Sequence, residues 1–339
     1  MDLLQTLEQK TLIGISNDFD YMRLINSENL VGLKLMPFEK TDNMKLTMHD
    51  FLEGSDVPVA ALVHALDTEA RIGDRIDAEE FEMELFLIKE KINQGEELKK
   101  KIKDLGMSRD EKAKLVAIYD DIANQITKVV IGFERRACEL LSTGKNVIDE
   151  NGAKKTIDHK LSAKNKIDFT GWSDPTHDIL GDLVALQKSA KNKIVRQIVS
   201  DKIVEYILAN EKLNAIAVAD TTQNVLTQDY AFAVIKKITK ITMVVDDRTY
   251  KFSHKDTKEY RFFDEDTIIS LTTMGEIGKT FMTTTPTEDF NSTDLTYGYV
   301  AVDQYKENDP KALWTLAEGL GLSVIKNINK TLYLSKIAQ

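Results

Sequence analysis

Thr273-Met274-Gly275-Glu276-Ile277-Gly278-Lys279-Thr280 is the stretch best equipped for chemistry, because Gly278-Lys279-Thr280 matches the end of a phosphate-binding loop. Such a loop also needs a glycine five residues before Gly278, where this chain has Thr273. It needs a helix directly afterwards, so that backbone N–H groups and the helix dipole point at phosphate. The next residues are instead Phe281-Met282-Thr283-Thr284-Thr285-Pro286, rich in strand formers. The segment therefore reads as a strand–turn–strand. A nucleotide hydrolase with a helical stalk is the alternative reading of the same residues.

The other candidates are weaker. His49, His64, His159, His177 and His254 are scattered, with no i, i+4 pair for a metal helix and no nucleophile pattern around them. His177-Asp178 falls in the first turn of an expected helix. Asp264-Glu265-Asp266 could hold a divalent cation, but lacks the further ligands and glycine of a calcium loop. Cys138 reads as a small core residue and Trp172 and Trp314 as packing residues. No catalytic, cofactor-binding or metal-ligating residue is assigned, no cofactor is expected, and neither is an enzyme.

The chain that must position these groups has 339 residues, 42% of them hydrophobic, enough for a sizeable core. Its 45 Lys and Arg against 55 Asp and Glu give a net charge of −10. Such a chain lacks the overall cation density that grips phosphate backbones, and it carries no polybasic membrane anchor. One cysteine excludes a disulfide framework and a multi-thiolate zinc site. The start lacks a basic, then apolar, signal pattern, and no 18 apolar residues run together, so no secretory leader and no membrane span are expected.

Along the chain, residues 1–40 show no lasting periodicity and read as an extended arm that needs another surface, with a possible short helix from Leu3 to Leu12. Leu30–Met36, Met44–Phe51 and Val57–Leu66 read as strands. Glu80–Leu87 fits both periods: Phe81, Met83, Leu85 and Leu87 alternate, while Phe81, Leu85, Ile88 and Ile92 follow helical spacing. Strand is preferred, with Val57–Leu66 as partner in a long hairpin. An isolated two-stranded hairpin is marginal in water, so it should lean on something else.

A charged helix is expected from Gln94 to Leu105, ended by Gly106. Ser108-Arg109-Asp110-Glu111 is a capping box. From there Leu115, Ile118, Ile122, Ile126, Val129, Phe133, Ala137 and Leu140 recur at three or four residues until Gly144. About 34 residues at 1.5 Å each predict a helix of roughly 50 Å. It could form a coiled coil or pack on a sheet. Asn151-Gly152 predicts a type I′ hairpin within Lys145–Lys160. Asp174 or Ser173 should cap a helix with Pro175 in its first position. Ser200 should cap another through Asn210, and Tyr230–Ile238 should be helical. Strands are expected at Ile194–Val199, Ile241–Val245, Thr249–Phe252, Ile268–Thr272, Thr280–Thr285, Tyr297–Val302, Leu322–Ile325 and Leu332–Ile337. A short helix is expected from Asp309-Pro310 to Leu316.

This order of elements resembles the major capsid proteins of tailed bacteriophages, the lambda E-type family with the Hong Kong 97-type shell fold. The resemblance runs from about residue 30 to the C-terminus. It is carried by Phe133-Glu134-Arg135-Arg136 through Leu141 and Gly144-Lys145, then by Ile167-Asp168-Phe169 and Trp172-Ser173-Asp174-Pro175. Further on it is carried by Phe263-Asp264-Glu265-Asp266, Gly275–Thr280 with Pro286 and Glu288, and Asp309-Pro310. Leu322-Ser323-Val324 departs from the pattern, since family members commonly carry a Pro there. The resemblance implies an α+β capsid fold. Residues 1–42 would be the N-terminal arm and 43–92 an extended β-hairpin loop with its flanking strand. Residues 93–172 would be a peripheral domain with the spine helix, 173–260 the axial domain, and 261–339 the strands returning to the peripheral domain. It implies a structural protein that assembles with copies of itself into pentamers and hexamers of an icosahedral shell. That shell would enclose double-stranded DNA without sequence-specific binding, with portal and scaffold or decoration proteins as further partners and no membrane. It would be assembled in the host cytoplasm and found in the virion. A cellular encapsulating shell shares the fold and is the other alternative.

Overall fold

The computed structural model describes residues 9–51, 78–93, 111–220, 226–253, 255–287, 298–308 and 311–338. They fall into two compact units: a body of residues 1–42 with 86–339, and a small unit of residues 43–85.

The body is organised by the helix Glu111–Thr143, 33 residues long. Its apolar stripe is buried from Ile122 through Val129 and Phe133 to Leu140 and Leu141. Gly144, at φ 73°, ends it and donates its N–H to the Leu140 carbonyl. A positive φ strains any residue with a Cβ, so glycine is the expected stop.

Two five-stranded sheets pack against this spine. In the first, the order is Phe38–Lys40, Gly278–Thr283, Lys311–Ile325 and Ala301–Asn308, and Phe86–Asn93 pairs along the other side of Lys311–Ile325. Gly319 and Gly321 leave room there for the ring of Phe133; a Cβ at Gly319 would sit 2.9 Å from it. The Phe86 ring stacks on Phe133 at 5.8 Å. The second sheet runs Phe169–Thr170, Leu332–Ala338, Thr267–Leu271, Arg196–Val199 and Thr242–Val245. Strand alternation gives it two buried faces. Val199, Ile268, Tyr333 and Ile337 meet the apolar stripes of the helices Ile179–Ser189, Asp201–Ala209 and Gln228–Thr239. Ile198, Ile269, Leu271 and Leu334 meet Ala137, Leu140 and Leu141 of the spine. The spine thus packs on sheets, one of the two arrangements its spacing allowed.

Local signals account for several elements. Asn151 (φ 49°) and Gly152 (φ 82°) make the turn joining Lys145–Glu150 to Ala153–Asp158. Ser200 accepts from the Ile203 N–H and caps Asp201–Ala209.

Five expectations need correction. Residues 9–27 are not an extended arm but two helices, Gln9–Asp18 and Tyr21–Ser27, finished on their own chain. Leu12, Ile13 and Ile25 are buried, Ser16 Oγ donates to the Val300 carbonyl, and the Val300 N–H donates to Tyr21 Oη at 3.2 Å. Val31–Leu35 is a helix rather than a strand. The helix after Trp172 begins at Ile179, capped by Asp178, because Asp174 spends its carboxylate on the Thr176 N–H and hydroxyl. Of the expected helix 309–316, residues 311–316 are strand: Lys311–Ile325 is one 15-residue strand whose register with Ala301–Asn308 runs from Asn308↔Lys311 to Ala301↔Glu318. It passes straight through Leu322-Ser323-Val324 without a turn.

The fifth correction concerns the hairpin. Ala78–Glu84 is a strand, but it pairs with Lys45–Phe51, from Lys45↔Glu84 to Phe51↔Ala78. The small unit also ends at Leu85, inside the segment expected over 43–92, because Phe86–Asn93 joins the body's first sheet. The strand expected at Val57–Leu66, the helix at 94–105, His64, His254 and Asp309-Pro310 lie outside the described residues.

Candidate assembly surfaces

The near-match to a phosphate loop is dismantled by its surroundings. Gly278–Thr283 is a strand, paired on one side with Leu320–Ile325 and on the other with Phe38–Lys40. A Cβ on Gly278 would run into the Val324 carbonyl, so the glycine serves strand pairing. Lys279 is paired with Glu276 at 2.8 Å, which raises the pKa of its ammonium. The Thr280 hydroxyl donates to the Met36 carbonyl at 2.7 Å and is buried. The residues from Gly278 onward are strand rather than the helix that would aim N–H groups at an anion.

The other candidate groups are occupied in packing. Lys202 bridges Glu265 (3.2 Å) and Asp266 (2.7 Å), and the Thr267 hydroxyl bonds Asp264. Asp182 accepts from both Trp172 Nε1 and His177 Nε2, each at 2.8 Å, and Trp172 stacks on Phe169. Trp314 Nε1 donates to Glu307, with Lys91 over its ring. His159 is buried against Asn146, and that burial lowers its pKa to about 4, so it is neutral at pH 7. Burial, reinforced by the Glu134 charge, pushes the Cys138 thiol well above its usual range, leaving it unreactive. Among the described residues, no three His, Cys, Asp or Glu side chains gather as a metal site would need. No described helix is long and apolar enough to cross a membrane.

The most elaborate polar constellation is one the sequence motifs did not announce. Glu134, fully buried on the spine, accepts from the Gly32 N–H (3.0 Å) and the Leu33 N–H (2.8 Å). It thereby caps the helix Val31–Leu35, whose own N-cap residue, Leu30, offers no side-chain acceptor. Arg248 supplies the counter-charge, 3.0 Å from Glu134 and forked onto Asp246. Burial alone would lower the Arg248 pKa, but Asp246 and Glu134 outweigh it and the pKa rises. Three segments far apart in sequence are tied together here. Only the charges at 134, 246 and 248 could have hinted at it, and nothing local pairs them.

Beside it, Arg135 forks onto Glu150 and Arg136 bonds Glu139 and the Val147 carbonyl. They line an open groove with Tyr250, Phe262 and Phe263. At its edge the aromatic pair Tyr250 and Phe252 lies under the Arg135 guanidinium, and Phe252 and Val147 are more than half exposed. Further exposed apolar side chains (Met22, Ile238, Met274) are scattered singly over the body, as on most proteins. The geometry offers a body tied together by buried ion pairs and a separate two-stranded unit.

No protein-family model matches the sequence, and no curated protein matches it. Solved structures do. A candidate capsid protein of an Escherichia coli CFT073 prophage superposes with a TM-score of 0.61 at 16% identity, covering 98% of this chain and 99% of that one. A phage-related protein from Bordetella bronchiseptica RB50 gives a TM-score of 0.50 at 13% identity, covering 96% of each chain. The chain has the α+β capsid fold of tailed-phage shells, the Hong Kong 97 type.

Proposed function

We propose that this chain is the major capsid subunit of a tailed bacteriophage, building an icosahedral shell from pentamers and hexamers of itself. One observation carries the reading: the shared fold spans both chains almost end to end, with 98% of this chain matched to a candidate prophage capsid protein. The role is structural, without turnover. Residues 173–260 supply most of the axial domain, and the spine with the strands of 261–339 supplies the peripheral domain. A tile of this kind needs surfaces that neighbours complete; each contact can be weak because many form at once. Head-to-tail contacts that close into rings produce the capsomers. Portal and scaffold or decoration proteins are the further partners, double-stranded DNA the content, the host cytoplasm the place of assembly and the virion the destination. Expression of the chain alone, followed by negative-stain electron microscopy, tests this. Shells, tubes, sheets or capsomer rings are expected; discrete monomers that hydrolyse nucleotide would overturn it.

A further inference from the structure

Lysines gather at one end of the body, where four segments meet. Gln187 Nε2 donates to the Ile194 and Thr239 carbonyls, joining the ends of Ile179–Ser189 and Gln228–Thr239. The Val195 N–H donates to the Leu271 carbonyl, and Asn192 Nδ2 and the Thr272 hydroxyl both donate to the Lys330 carbonyl. The stretches 183–199, 230–245, 267–275 and 319–339 contain nine Lys and one Arg but no Asp or Glu. Lys188, Lys191 and Lys193 from the first stretch and Lys236, Lys237 and Lys240 from the second are exposed. So are Lys326 and Lys330 from the last. Glu276, the carboxylate that follows the third stretch, is already held by Lys279 at 2.8 Å.

Helix dipoles account for part of this. They favour cations in a last turn, where Lys188, Lys236, Lys237 and Lys330 stand. A helix C-terminus carries only about half a negative charge, so Ile179–Ser189 and Gln228–Thr239 together offset about one cation. Lys191, Lys193, Lys240 and Lys326 lie outside helices. Like charges gathered this way repel and destabilise the body, which points to a ligand of opposite sign. The side-chain types narrow its class. Protein interfaces are depleted in lysine and anchored by Trp, Tyr and Arg. Here the aromatics of the four stretches, Tyr230, Phe232 and Tyr333, pack on the body's own core, and Arg196 is only partly exposed within a strand. Single-stranded nucleic acid would need aromatic faces for stacking. Point cations without aromatic or forked partners suit the phosphate backbone of a duplex, which carries one charge per about 1.7 Å of axis.

We infer that this lysine-rich end is the surface by which the chain touches double-stranded DNA, through phosphates and without reading sequence. The inference rests on the shell reading, under which such DNA is the content, and adds the residues that meet it. The net charge of −10 does not forbid the contact. At physiological salt, charges further away than about 8 Å are largely screened, so a duplex on this end senses the local lysines. Each neutralised phosphate releases counterions, which makes the grip loosen steeply as salt rises. The chain as a whole stays a poor DNA binder at high salt, while one end of it holds duplex at low salt.

The test titrates full-length protein, kept below the concentration at which it assembles, against a short fluorescent duplex of random sequence. Anisotropy is read from about 50 to 200 mM salt. Binding should weaken about 100-fold over that range, the signature of roughly four phosphate contacts. The variant Lys188→Gln, Lys193→Gln, Lys240→Gln, Lys326→Gln should melt like the parent, bind about tenfold less tightly at the lower salt and depend less steeply on salt. Removing the same charge at Lys128, Lys154, Lys212 and Lys251, each paired with a carboxylate elsewhere on the body, should change binding less than about twofold. Equal loss in both variants, no binding at the lower salt, or tighter binding of poly-glutamate than of duplex would overturn the inference, the last in favour of an acidic polypeptide. Sedimentation of concentrated protein without DNA reports assembly separately. A chain that assembles but fails the titration loses the surface and keeps the shell reading. One that binds duplex but never assembles loses the shell reading instead.

Discussion

The N-terminal segment 9–42 and the hairpin unit 43–85 are neighbours in sequence with the same apparent defect: apolar residues without a periodic core to accept them. The structure separates them. The N-terminal helices bury Leu12, Ile13, Tyr21, Ile25 and Leu33 within the body, and Ser16, Tyr21, Gly32 and Leu33 hydrogen-bond to residues more than 100 positions away. The hairpin is a compact unit of its own. Sequence patterning reports that a segment needs a partner; it does not report whether the partner belongs to the same chain.

Paired truncations sharpen that comparison most strongly. Removing residues 1–28 should unfold the body, since several fully buried side chains at about 1.5–3 kcal/mol each are lost; soluble yield and thermal melting read this out. Replacing residues 43–85 by a short Gly-Ser linker should leave the body's melting transition in place and abolish assembly. Folded protein after the first deletion, or unfolded protein after the second, would break the distinction. Next in size is the Glu134 cap. Glu134→Ala removes one of the two carboxylate partners of Arg248 and leaves two N–H groups of the helix Val31–Leu35 without their acceptor, and should cost about 2–4 kcal/mol in denaturant unfolding.

His159 gives a smaller, pH-dependent effect. Its pKa falls from 6.5 to about 4 on burial, so the native state favours the neutral ring. The contribution is whole above the unfolded pKa of 6.5 and is lost as pH falls through that value towards 4, at most ~3 kcal/mol. His159→Gln should flatten the stability–pH curve across that window and leave other windows alone. The smallest effect is Gly32→Ala: its Cβ would meet the Ala137 Cβ at 2.8 Å and Glu134 Oε2 at 3.0 Å. A loss of about 1–3 kcal/mol in the same unfolding assay is expected from such overpacking.

Legibility in the sequence followed the range of the forces involved. The spine was readable because its stripe, from Ile122 to Leu141, repeats for many turns and ends at Gly144. The Asn151-Gly152 turn and the Ser200 cap were readable because their chemistry lies within three residues. Val31–Leu35 was not, since four of its five residues are buried on all sides and leave no period, while its cap comes from Glu134, about 100 residues away. The strand after Pro310 was misread because the Asp-Pro start signal is shared by turns and helices, and strand pairing with Ala301–Asn308 and Phe86–Asn93 decided the outcome. The pairing of Ala78–Glu84 with Lys45–Phe51 was unforeseen for a similar reason: several apolar runs alternate equally well, and register is a tertiary choice. Within the candidate constellation, Glu134 stood in a motif, but its partners Gly32, Leu33 and Arg248 lie 100 or more residues away, and no local pattern pairs them.

Sedimentation velocity of the purified full-length chain over a wide concentration range tests self-assembly without intermediaries. Mass should move with rising concentration into fast boundaries the size of capsomers and shells, and added salt should shift it back. A single monomer-sized boundary at every concentration and salt would contradict a self-completing shell subunit.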